Sequence, residues 1–202
     1  MRNKIAGIFT TIFVAFTVLM VSFIKCSSVT NVYSQLVFAE SDIAISGAVI
    51  DYKLAYPGKV LPDNPLWYIK VVRDKIWLFF TFDKTKKSEL NLLFADKRLY
   101  SAIELFKNNK PDLGLSTLSK AEKYLDSAVS SDAKNPDYLK KLALASLKHR
   151  EVIDKEILPI TPEDLKPEVI KSGDYSRNVY KKTRDLLRSI GHIPPQNPFE
   201  TE

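Results

Sequence analysis

Apolar residues are arranged in two ways along this chain: one unbroken block near the N-terminus, and stripes of helical period further on. The block runs from Ile5 to Ile24 without a charged residue, and its apolar side chains point all round a helix. A helix crosses the roughly 30 Å hydrocarbon core of a bilayer in about 20 residues, so the block has the length of a transmembrane span. Beyond it, stripes mark five helices. Asn64-Pro65 supplies an N-cap and a first-turn proline for a helix to about Phe80, with Ile69, Val72, Ile76, Phe79 and Phe80 on one face and Leu66 and Trp77 beside it. Val71 and Leu78 widen its apolar surface, so this helix is expected at the centre of the core. Asp83 caps a second helix, Lys84 to Asn108, with Leu92, Ala95, Leu99, Ala102, Ile103 and Phe106 inward. A third, Pro111 to Val129, turns Leu113, Leu118, Ala121, Leu125 and Ala128 inward. Asn135-Pro136 starts a fourth, running to Ile157 and burying Tyr138, Leu142, Ala145, His149, Val152 and Ile153. The last, Asp174 to Ile190, sets Tyr175, Val179, Leu186 and Ile190 on one face before Gly191 stops it.

The remaining stretches lack such stripes. Residues 26–64 read as an extended tether, with a short strand suggested by Ile43, Ile45 and Val49. Residues 158–173 form a proline-rich connector, and residues 191–202, with Pro194, Pro195 and Pro198, a disordered or extended tail. The fold class is therefore all-α: an N-terminal transmembrane helix (residues 1–25) followed by an antiparallel bundle of four to five helices, its core in residues 65–157 and a basic amphipathic helix at 174–190.

Charge at the flanks gives the block a direction. Arg2 and Lys4 precede it and outweigh Lys25 behind it, which favours a cytoplasmic N-terminus and an extracytoplasmic body at the cell membrane. The competing reading is a signal peptide cut near Ala39, which would release the body; against it, the apolar block is longer than such signals carry. Cys26 is the sole cysteine, which excludes an internal disulfide and a cysteine-based zinc site.

Lys and Arg number 30 against 24 Asp and Glu, a formal net charge of +6. Arg2, Lys4 and Lys25 flank the apolar block, which halves the excess left to the body, and the other charges are interspersed. Nucleic-acid binding is not expected.

Tyr56-Pro57-Gly58, then Leu61-Pro62-Asp63-Asn64-Pro65-Leu66-Trp67-Tyr68-Ile69-Lys70 and Arg73-Asp74-Lys75-Ile76 form a distinctive run. It continues as Phe79-Phe80-Thr81-Phe82-Asp83 and Ala95-Asp96-Lys97-Arg98-Leu99. From Tyr56 to about Leu125 the chain resembles an uncharacterised bacterial domain of unknown function, number 5667. The resemblance implies a helical domain behind a signal or anchor segment. It brings no activity and no catalytic residues, and the chain departs from it after about Asn135.

Candidate chemistry is sparse. No Gly-x-Ser-x-Gly elbow and no phosphate-cradling loop occurs, and no cofactor or metal is implied. His149 falls on an apolar face and reads as a packed histidine hydrogen-bonded to a neighbouring helix. Arg73, Asp74, Asp96 and Arg98 read as ion pairs between the first two helices of the body. Trp67 and Trp77 read as core and edge packing, with an interfacial role at a membrane as the alternative. The one candidate binding surface is the stripe Arg177, Lys181, Arg184 and Arg188 on the last helix, spaced to share a face and suited to an anionic surface. The function expected from these features is a non-enzymatic scaffold or interaction module at the cell envelope. It would hold the bilayer through Ile5 to Ile24 and contact an envelope protein or anionic polymer. The alternative is an accessory subunit of an envelope hydrolase or transferase.

Overall fold

The computed structural model describes residues 50–129 and 135–200, and within them the chain is all-helical with no strand. Five α-helices follow one another: α1 (Trp67–Phe80), α2 (Lys84–Lys107), α3 (Pro111–Ser127), α4 (Pro136–Val152) and α5 (Lys166–Ser189). No helix among the described residues is long and apolar enough to cross a membrane. The Ile5–Ile24 block and the strand suggested around Ile43 to Val49 lie outside the described residues.

Local chemistry sets the helix ends. The Asp83 carboxylate accepts from the Thr85 and Lys86 amides at the start of α2, and Asn135 does the same for Asp137 and Tyr138 at the start of α4. Both satisfy amides that a helix N-terminus leaves without carbonyl partners. Between α2 and α3, Asn109 takes the left-handed conformation (φ 56°), and the Lys110 amide reaches back to the Leu105 carbonyl. This tight C-terminal turn reverses the chain within three residues, so α2 and α3 pack side by side. Gly114 makes their contact close: a Cβ there would stand 2.8 Å from a Phe106 ring carbon.

Helices α2 to α5 enclose the core. Leu99, Ile103, Phe106, Leu118, Val152, Ile157 and Val169 fill one end. Leu92, Ala95, Leu125, Tyr138, Leu142 and Val179 form a second cluster, and Leu139, Leu147, Tyr180 and Leu187 a third. All the inward positions read from the sequence for α2 and α4 are buried.

The connector differs from expectation. After Val152 the chain continues through a wide turn (Ile153–Ile157) and two short 3₁₀ turns, and α5 starts at Lys166, eight residues before Asp174. Pro167 sits in the first turn of α5, where its missing N–H costs nothing. A proline that the sequence reading took for connector thus opens a helix. Helix α5 belongs to the bundle, packing on α3 and α4. Its buried face is Val169, Ser172, Gly173, Ser176, Val179, Tyr180, Thr183 and Leu187, whereas Tyr175 is exposed and Leu186 and Ile190 are half-buried. Small residues bury this face, so a search for large apolar side chains misplaces it.

Both presumed loose ends are packed. Ile50 is buried against Leu139 and Tyr180, and Pro57 is buried. In the tail, the Tyr180 hydroxyl donates to the Pro195 carbonyl at 2.7 Å, and the Arg150 guanidinium lies 4.6 Å from the centre of the Phe199 ring. The tail is therefore extended and held against the bundle through residue 200.

Candidate functional site

Helix α1 has apolar residues on two opposite sides. At about 100° per residue, Trp67, Val71, Asp74, Trp77 and Leu78 share one side, and Ile69, Val72, Ile76, Phe79 and Phe80 the other. The first side docks. The Trp77 ring meets Phe94 of α2 edge-on at 6.3 Å, and the Lys70 ammonium donates to the Pro57 and Val60 carbonyls at 2.7 and 2.9 Å. The second side faces solvent: Phe79 is 75% exposed, Ile69 67% and Val72 56%. Leu66, Tyr68 and Phe82 are exposed beside it.

This corrects the expectation that α1 is central to the core. The stripe read from the sequence is present, but it points away from the body. The interior is already filled by α2 to α5, and the tryptophan side has the larger rings to dock with. Trp67 and Trp77, both half-buried, are edge packing. The outward stripe exceeds the scattered surface apolar residues of an ordinary soluble domain, and patches of this kind mark interaction sites.

Cations gather around Asp74 on the docked side. Arg73 pairs with buried Asp74 at 2.7 Å. Arg98, buried, lays its guanidinium 4.3 Å from the Tyr124 ring centre and donates to the Phe94 carbonyl at 3.5 Å. Burial lowers the pKa of Arg98, while the phenol of Tyr124 and the charge of Asp74 work the other way. Lys70 and Lys97 are also pushed below the usual lysine range, by burial first and then by Arg73. Asp74 thus stands among Lys70, Arg73, Lys97 and Arg98. Asp96, grouped with them in the sequence reading, points the other way.

It points into a buried polar centre. His149 of α4 is fully buried between two carboxylates: its Nδ1 lies 2.7 Å from Glu122 Oε1 on α3, and its Nε2 3.1 Å from Asp96 Oδ1 on α2. The Tyr52 hydroxyl donates to the second Asp96 oxygen at 2.7 Å. Burial works against a charged imidazole, but the Glu122 carboxylate and the hydrogen bonds to both acids outweigh it and lift the ring to about 9. The ring is therefore an imidazolium at neutral pH, donating from both nitrogens. Burial and the Asp96 charge push the Tyr52 phenol upward. Glu122 Oε2 has no hydrogen-bond partner.

His149 is a packed histidine bonded to neighbouring helices, as the sequence indicated. Its partners were missed, though the register held them: Asp96 falls with Leu92, Leu99 and Ile103, and Glu122 with Leu118 and Leu125. Chemically the centre holds a proton between two acids on three helices. Both imidazole nitrogens are engaged and the ring is sealed, so no substrate reaches it. Among the described residues no group of three His, Cys, Asp or Glu side chains is placed to hold a metal.

The four basic residues of α5 are partly spent on local acids. Arg177 pairs with Asp174 at 3.0 Å, and Arg184 with Asp185 at 3.2 Å and Glu200 at 3.8 Å. Both are half-buried, whereas Lys181 and Arg188 are exposed. Arg177 and Lys181 line a shallow groove of about 260 Å³ with Arg150, Tyr180, Phe199 and Glu200.

The model of a family described as a domain of unknown function, DUF5667, matches residues 59–163, more than half of the chain. The chain belongs to this family. Its DUF5667 segment runs past Asn135, where the sequence resemblance had stopped, and takes in α1 to α4. It therefore contains the outward face of α1 and the Asp96–His149–Glu122 centre, and ends before α5 with its basic stripe. No curated protein matches the chain, and no solved structure does.

Proposed function

We propose that this DUF5667 protein is a membrane-anchored, extracytoplasmic helical domain acting as a non-enzymatic scaffold or interaction module at the cell envelope. The observation that carries the reading is the outward apolar face of α1 on a bundle whose own core is complete. A folded domain gains nothing internally from Ile69, Val72, Ile76, Phe79 and Phe80 in water, so such a face is accounted for by what it contacts. The Ile5–Ile24 block supplies the anchor, with Arg2 and Lys4 on its cytoplasmic side. The exposed cations Lys181 and Arg188 offer a second, weaker contact for an anionic envelope polymer or protein. The sealed geometry at His149 supports a structural centre in place of a catalytic one.

Cys26, the sole thiol, tests the topology because it directly follows the anchor. Intact cells are treated with a membrane-impermeant maleimide, and the mass of the protein is followed. Labelled full-length chain is the expected result. A shortened chain without the thiol would replace the anchor by a cleaved signal. Full-length chain labelled only after lysis would put either the body inside or Cys26 within the membrane, and the first case would refute the envelope reading.

A further inference from the structure

We infer that the outward face of α1 is a bilayer-contact surface, with the helix lying flat in the headgroup region of an anionic membrane and Ile69, Val72, Ile76, Phe79 and Phe80 entering the acyl boundary. This rests on the reading that the chain is held at a membrane, and it specifies what the interaction face meets.

Length is the first argument. Helix α1 has 14 residues, about 21 Å at 1.5 Å per residue, too short to span a core of about 30 Å. A helix with one apolar side turned outward and its other side docked on protein is suited to lie in the interface. Phe79, Phe80 and Phe82 crowd its C-terminal end, Phe79 and Phe80 meeting edge-on at 5.3 Å, and Tyr68 stands at the other end. Tyr rings sit at the headgroup level, and Phe is a regular member of the apolar face of interfacial helices.

Charge is the second argument, and it selects the occupant. From Leu66 to Lys87 the chain carries Lys70, Arg73, Lys75, Lys84, Lys86 and Lys87 against Asp74 and Asp83 alone. Asp74 is buried beside Arg73, and the exposed Asp83 carboxylate is engaged by the Thr85 and Lys86 amides at the start of α2. Lys75, Lys86 and Lys87 are exposed. Exposed cations on and just after an apolar stripe complement anionic headgroups over acyl chains. They oppose a second copy of the same face, since pairing two copies would bring their exposed Lys75 side chains together. The apolar block near the N-terminus needs no help to bind a bilayer. It does bring α1 to the lipid at high effective concentration, so a weak interfacial affinity suffices.

The test uses the full chain reconstituted into vesicles of mixed phosphatidylglycerol and phosphatidylcholine containing brominated lipid. In a Cys26→Ser background, a bimane label is placed at Phe79→Cys or, as control, at the exposed Lys141→Cys on α4. The expected result is quenching several-fold stronger at 79 than at 141, reduced in purely zwitterionic vesicles and lost in the Ile69→Glu/Ile76→Glu variant. Equal, weak quenching at both sites in protein that floats with the vesicles would overturn the inference and leave the anchored scaffold standing. An unquenched, blue-shifted label at 79 that cross-links between chains would assign the face to a second copy and overturn it too. Protein that does not float with the vesicles would overturn the membrane reading itself.

Discussion

The polar centre makes the stability of the bundle fall as pH rises through the range of His149. The ring titrates near 6.5 in an unfolded chain and at about 9 in the fold. A folded pKa above the unfolded one means the native state holds the proton more tightly. The stabilisation is complete below pH 6.5 and is lost as pH rises toward 9. At 1.36 kcal/mol per pH unit the difference amounts to about 3 kcal/mol, a sizeable part of a domain's stability. For a domain of this size that corresponds to a fall in Tm of roughly 6–12 °C between pH 6 and 9.5. Lys70 and Lys97, whose pKa values are lowered, act in the opposite sense at alkaline pH. The comparison that isolates the histidine is therefore His149→Gln, which keeps hydrogen-bonding capacity without the charge. Thermal unfolding of the full chain in detergent, followed by circular dichroism, should show the fall in the parent protein and not in the variant. A variant with the same slope as the parent would refute the assignment of the imidazolium to this centre.

Four further changes separate the core from the surface. Phe79→Ser should leave the unfolding free energy within about 0.5 kcal/mol of the parent's, because the ring is exposed, whereas Leu99→Ala should cost about 2–5 kcal/mol. Equal losses in thermal unfolding would mean that α1 is core after all. Gly114→Ala should destabilise by about 1–3 kcal/mol, because its Cβ would meet the Phe106 ring, and Phe106→Leu in the same chain should recover part of the loss. Asn135→Ala should cost about 1 kcal/mol through the two α4 amides it caps, and Asn135→Asp should not, as urea midpoints would report.

What could be read in advance was what local periodicity and capping encode. Asp83, Asn135 and Gly191 mark helix ends by chemistry confined to a few neighbouring residues, and all three act as their residue types suggest. The inward rows of α2 and α4 were legible because each helix has one apolar side. Helix α1 was not, since Ile69–Phe80 and Trp67–Leu78 offer two sides and periodicity cannot say which one docks. That choice was made by the tertiary fit of Trp77 on Phe94. The start of α5 was missed because Pro167 and the small residues Ser172, Gly173 and Ser176 read as connector until α3 and α4 are in place beside them.

The charged centre was hidden for a related reason. Asp96, Glu122 and His149 each look like a polar residue on an apolar row, which taken singly suggests a misjudged register. Their meaning is collective: one imidazolium bonds to one oxygen of each of two acids, so that three helices share polar partners where each alone would bury an unpaired group. Burying them is costly against an apolar core of the same shape, but mispairing them is costlier, because any slip of α2, α3 or α4 strands a charge in the interior. The centre therefore penalises alternative packings of these amphipathic helices. That matters in a chain whose first helix keeps a second apolar side facing out: without such a lock, the Ile69–Phe80 face could compete for the core.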